Sequence, residues 1–199
     1  MKVSAHRAFN LLKELAYERV SCSEAEKQAA QKLLEVAQST GAQAHIEEFP
    51  VACGKVNHAK LVVTEPYVKE YEVTGYERGL STPDGGVDLA FYYAENGEDA
   101  HLANVKGKAV MVNGRLGKKV YEKLMKAGVA AILTFDGTTI DRRSETDCDI
   151  RKLREVLTED CGACTALHMR TIDAVEIVRR GAKKMHIELD AQDYEGISQ

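Results

Sequence analysis

Residues 105–135 constrain the fold more than any other part of the chain. An apolar run at 109–112 precedes a helical pattern over 118–127, Gly128 closes it, and a second apolar run follows at 129–135. A strand, helix and strand at this spacing imply a parallel, right-handed crossover, so the chain reads as an α/β protein. Gly128 follows an amphipathic helix by one residue and, like Gly181, is expected to end its helix with positive φ.

A second α/β unit follows. Residues 163–169 read as a strand, Thr171 opens a helix with Ile172, Val175 and Val178 on one face, Gly181 stops it, and 184–189 alternate as another strand. The polar tail 191–199 is expected to add no closing element. Before the crossover, Val-, Tyr- and Leu-rich runs at 60–64, 69–74 and 87–93 are separated by Pro66, Gly75, Gly79, Pro83, Gly85 and Gly86, which makes this stretch β-rich.

The N-terminal 50 residues differ in character. Ala8, Leu11, Leu12 and Leu15 mark one helix. Ser21 and Ser23, each three residues before Glu24 and Glu26, offer overlapping capping boxes for a second helix through Ala29, Leu33 and Ala37, which Gly41 ends. Alternation of Ala44 and Ile46 against His45 and Glu47 predicts a strand over 42–51.

Composition sets outer limits. The 199 residues are 44% hydrophobic and 29% charged, with a net charge of −4, which excludes disordered and disulfide-scaffold classes and argues against nucleic acid as a partner. Asn10, Lys13 and Glu14 interrupt any signal-peptide core, and no apolar run would span a bilayer. Five irregularly spaced cysteines then favour reduced thiols and a cytoplasmic location. Residues 136–160 are dominated by charge and read as a solvated loop with a short helix around Ile150, Leu153 and Leu157.

Cys148, Cys161, Cys164 and His168 carry the donors of a tetrahedral zinc site, but the spacing lacks a second C-x-x-C or paired His. Strand alternation already accounts for Cys164 and His168, and Cys161 and Cys164 do not open a helix as a redox pair would favour. His45 with Glu47 and His186 with Glu188 share strand faces, as exposed strands do. His6, His58 and His101 have no partner at motif spacing. The motifs H-E-x-x-H, G-x-S-x-G, G-x-x-x-x-G-K-[ST] and G-x-G-x-x-G are absent. No catalytic, cofactor-binding or metal-ligating residue is therefore assigned.

The order of segments carries a resemblance. Val105-Lys106-Gly107-Lys108-Ala109-Val110-Met111-Val112, with Lys126-Ala127-Gly128-Val129-Ala130-Ala131-Ile132-Leu133, resembles the central βαβ of the protease-associated (PA) domain. The strand Ala166-Leu167-His168-Met169 and the helix reaching Val178 to Lys184 look like its closing unit. Arg19-Val20-Ser21-Cys22-Ser23-Glu24-Ala25-Glu26, a long helix, Gly41 and a strand into Glu48-Phe49-Pro50-Val51 resemble the start of co-catalytic zinc aminopeptidases of the aminopeptidase Y type. In that family a PA domain is inserted after this first strand. Two departures stand out. The family has Gly where this chain has Cys22, which predicts a different backbone at that turn. Its zinc ligands begin with a His-x-Asp after the insert, and no His here is followed two residues later by Asp.

The resemblance implies an α/β chain in which residues 1–52 are two helices and a strand from a peptidase domain. Residues 53–191 would be a β-rich PA domain with two βα units, and 192–199 a tail leading back to the missing peptidase domain. The chain would be a non-catalytic portion of a zinc aminopeptidase-like protein, its PA domain a lid or substrate-access surface. The alternative is a stand-alone PA-type interaction module without peptidase activity. Zinc is expected only in the missing domain, and the partners are a peptide substrate, a protein or a second copy of the chain, with no membrane.

Overall fold

The computed structural model describes residues 4–135, 148 and 151–199, and the chain divides into two compact units, Met1–Cys53 with Tyr194–Gln199, and Gly54–Asp193. Two strands cross the boundary, β1 (Phe49–Glu65) and β9 (Lys184–Ser198).

In the smaller unit, Ser4 caps α1 (Ala5–Glu14) and Ser23 caps α2 (Glu24–Ser39). The Ser23 hydroxyl accepts from the Glu26 N–H at 3.2 Å, so Ser23 is the cap of the two serines expected. The Glu26 carboxylate reaches past it to accept from the Cys22 N–H at 2.7 Å. Cys22 has φ 68. The turn thus takes a left-handed backbone that glycine favours, at a cost of about 1–2 kcal/mol for a residue with a Cβ. The strand expected over 42–51 forms only from Phe49. Residues 42–48 keep the alternation, with Ala44 and Ile46 less exposed than their neighbours, but join no ladder. Alternation specifies an extended backbone with two unlike faces; it does not supply a partner strand.

The larger unit is built on the remaining strands. They are β2 (Lys69–Tyr71), β3 (Val73–Glu77), β4 (Val87–Tyr93), β5 (Ala109–Asn113), β6 (Ala131–Phe135), β7 (Arg151–Lys152) and β8 (Thr165–Met169). With β1 and β9 they follow the order β2-β1-β9-β4-β5-β6-β8-β3-β7. The anticipated crossover is present: β5 and β6 run parallel from Ala109↔Ala131 to Asn113↔Phe135, joined through α3 (Lys118–Lys126). Strand β8 lies parallel on the other side of β6. Helix α5 (Thr171–Arg179) then carries the chain to β9, which pairs antiparallel with β4. Thr171 is the first helical residue and not the cap; Arg170 holds that position and its guanidinium pairs with Asp173 at 2.6 Å.

Two further expectations are corrected. The tail is not without structure, because β9 runs on to Ser198: its pairing is through backbone groups, which polar side chains do not prevent. Of the charged segment, residues 136–147, 149 and 150 lie outside the described residues. Over 151–160 the chain forms β7 and the short helix expected around Leu157, α4 (Glu155–Thr158), but Leu153 and Leu157 are buried, so this part is not a solvated loop.

Strands β5, β6 and β8 are buried on both faces, as parallel central strands require. On one face Met111, Leu133 and Leu167 pack with Ile177 of α5 and with Leu61, Met185 and Ile187 of β1 and β9. On the other Val110, Ile132 and Ala166 pack under Tyr121 and Leu124 of α3, with Leu153 and Leu157 closing the edge.

Candidate functional site: a cation-lined recess

On the α3 face, period-2 alternation along β6 and β8 puts Thr134 and His168 where apolar residues would otherwise continue. Both are buried, Thr134 completely and His168 at 3% exposure. Tyr76 of β3 brings its hydroxyl to 2.8 Å from Thr134 Oγ1, and His168 Nδ1 lies 3.0 Å from the same oxygen. On the other side of the ring, Nε2 stands 3.4 Å from Arg151 Nη2. A guanidinium can only donate, so Nε2 accepts and the ring proton sits on Nδ1, where it donates to Thr134. The network reaches Arg151, which β7 holds in register with Tyr76.

Arg151 opens into a recess of about 520 Å³ lined by Tyr76, Leu116 and Leu157 and by five cationic residues, Arg115, Lys118, Arg151, Lys152 and Arg154. Two short segments supply them. One is the turn into α3 with the helix's first residue, Lys118, where Gly117 is the cap and makes no side-chain bond to the first turn. The other is the run from β7 to α4. Lys118 pairs with Asp160 at 3.3 Å, which raises its pKa by hydrogen bonding and charge. No carboxylate is among the described residues lining the recess. Beside it, burial raises Glu77 above the ordinary carboxylate range, opposed by the charge of Lys152. Grouped guanidinium and ammonium groups suit carboxylate or phosphate recognition.

The sequence-level candidates lie elsewhere or apart. Cys148 Sγ faces the His168 carbonyl at 3.4 Å and accepts from Thr74 Oγ1 at 2.8 Å, and burial raises its pKa. Cys164 Sγ faces the Ala130 carbonyl, with burial pushing its pKa up to about 11. Cys161 is only partly buried against the α3-side core. The His168 ring is engaged by Thr134 and Arg151 and not by the thiols; among the described residues no group of three or more His, Cys, Asp or Glu could hold a metal. His186 and Glu188 do share a face of β9, 3.2 Å apart, with Asp88 at 3.0 Å from the imidazole and His58 at 3.1 Å from Glu188. His45 and Glu47 are 3.2 Å apart on exposed, non-strand chain. His101 lies 3.8 Å from Glu95, and His6 bonds Asn10. Sequence reasoning missed the recess because its cations come from segments 33 or more residues apart, which the β3–β7 pairing and the packing of α4 on α3 bring together.

Comparison with solved structures places the fold. The chain is similar to a zinc aminopeptidase from Bacillus subtilis (TM-score 0.71, 15% identity, 98% of this chain and 46% of that one). It is also similar to an M28 peptidase precursor from Shewanella amazonensis (TM-score 0.68, 19% identity, 96% and 48%). An aminopeptidase from Aneurinibacillus sp. strain AM-1 gives a TM-score of 0.60 at 19% identity, covering 98% and 46%. The chain therefore has a mixed α/β fold found in zinc aminopeptidases, and it spans about half the length of the structures it matches. No protein-family model matches the sequence, and no curated protein matches it. Among the described residues no helix is long and apolar enough to cross a membrane.

Proposed function

We propose that this chain is a non-catalytic portion of a zinc aminopeptidase-like protein, and that its larger unit is a PA-type domain acting as a lid or substrate-access surface. The observation that carries this reading is the fold match over nearly the whole chain to about half of each aminopeptidase. The smaller unit supports it. Phe9, Leu12, Tyr17, Val20, Leu33 and Phe49 are 41–66% exposed, and α1 buries no residue, so these helices await cover from further sequence. Zinc would be held in that further sequence, where it would activate water for peptide hydrolysis.

Hydrogen exchange with light scattering tests this reading. Amides of α1 and α2 in the 199-residue chain are expected to exchange fast, or to be protected only as the chain self-associates. A strict monomer with both helices protected would contradict it.

The recess favours a second reading, a PA-type interaction module that takes an acidic peptide. An acidic peptide should then bind more tightly than a basic one of equal length, and R115E with R154E should weaken it by about tenfold or more at low salt. Equal binding of the two peptides would remove this reading.

A further inference from the structure

The smaller unit brings two of the five cysteines, none of them in a disulfide, together over one glycine. Gly196 lies inside β9, where glycine is otherwise unfavourable. A Cβ there would lie 2.5 Å from Cys22 Sγ, 2.8 Å from Cys22 Cβ and 3.3 Å from Cys53 Sγ. The space a side chain would fill at 196 is thus taken by two sulfurs that approach the same point. The arrangement is held from both ends. The Cys22 N–H donates to Glu26, and the Ser198 hydroxyl donates to the same carboxylate at 2.5 Å, tying the turn before α2 to the end of β9. Both contacts lower the Glu26 pKa, the Ser198 bond most. Cys22 meanwhile occupies a left-handed conformation (φ 68) that glycine would take without strain. Strain retained at a residue with a chemically active side chain points to a use for that side chain.

We propose that Cys22 and Cys53 are a redox-active pair that closes to a reversible disulfide on reaction with a hydroperoxide. Cys22 is half-buried and Cys53 is 4% exposed, which assigns the first attack to Cys22. Its thiolate attacks one peroxide oxygen and the O–O bond breaks. Sulfur is oxidised to sulfenic acid, and the other oxygen leaves as hydroxide, which takes up a proton. The Cys53 thiolate then attacks the sulfenic sulfur, the S–S bond forms and hydroxide departs to become water. With hydrogen peroxide the net change is two thiols and one peroxide to one disulfide and two waters. The product joins the turn before α2 to β1, both within the smaller unit, and should restrain α2. Cys148 and Cys164, whose pKa values burial raises, are built to stay out of this chemistry.

The test treats the intact chain with graded hydrogen peroxide, alkylates remaining thiols with N-ethylmaleimide, and maps the peptides by mass spectrometry. The expected result is one dominant crosslink, Cys22 to Cys53, two hydrogens lighter than the separate peptides and reversed by dithiothreitol, with slower hydrogen exchange in α2 after oxidation. C53S should leave Cys22 as a sulfenic acid that dimedone traps. Separate alkylation or irreversible over-oxidation of Cys22 and Cys53, or a dominant crosslink to Cys148, Cys161 or Cys164, would overturn the proposal. These outcomes do not depend on the peptidase reading.

Discussion

Leu133→Ala is expected to lower the unfolding free energy by about 3 kcal/mol. Leu133 is completely buried at the centre of β6, in register with Met111 of β5 on one side and Leu167 of β8 on the other. These neighbours belong to the same apolar cluster as Ile177 and Met185, so truncation removes transfer energy and leaves a cavity that a parallel, doubly covered sheet cannot close. Urea midpoints at unchanged slope measure the loss. Leu12→Ala, at a residue 66% exposed, should stay within about 0.5 kcal/mol. Equal effects from the two would mean that the β5–β6–β8 core does not hold the chain together.

Gly128→Val is expected to cost about 1–2 kcal/mol or somewhat more, because a β-branched residue resists positive φ. Gly128 has φ 73, its N–H donates to the Met125 carbonyl at 3.0 Å, and the Val129 N–H reaches the Leu124 carbonyl at 3.4 Å. That pair of bonds is the Schellman arrangement, which consumes the orphan carbonyls of α3 and aims the chain into β6. Gly181 ends α5 in the same way, its N–H donating to the Val178 carbonyl and the Ala182 N–H to the Ile177 carbonyl. A new Cβ at 128 would also come within 3.3 Å of Lys106 Cγ, a contact that a flexible side chain can relieve, so the backbone dominates the cost. No shift in the urea midpoint would show that the glycine is a permissive loop residue.

Much of the fold could be read from sequence wherever a local rule and burial agree. Helix periodicity with a following glycine located α3 and α5, and short apolar runs bounded by Gly and Pro located β4, β5 and β6. Pairing was less legible. Residues 42–48 alternate without a ladder, while 191–198 are polar and still join β9, because strand formation there depends on partners remote in sequence. The polar network at Thr134, Tyr76 and His168 was hidden for a related reason. Each residue alone is an ordinary strand residue, and only the order β6-β8-β3 makes them neighbours. Among the thiols, C-x-x-C spacing at 161 and 164 is conspicuous in sequence, whereas nothing in the spacing of Cys22 and Cys53 shows that both sulfurs approach Gly196.

The central claim, that this chain is one part of a zinc aminopeptidase-like protein, is tested most directly by an aminopeptidase assay on the product of the whole reading frame beside the 199-residue chain. Leucine p-nitroanilide serves as substrate, with and without a chelator. The account predicts chelator-sensitive hydrolysis by the whole product, whose added sequence contains the His-x-Asp that residues 1–199 lack, and none by the chain alone. Hydrolysis by the chain alone, or a whole product that ends at Gln199 and is inert with added zinc, would contradict it.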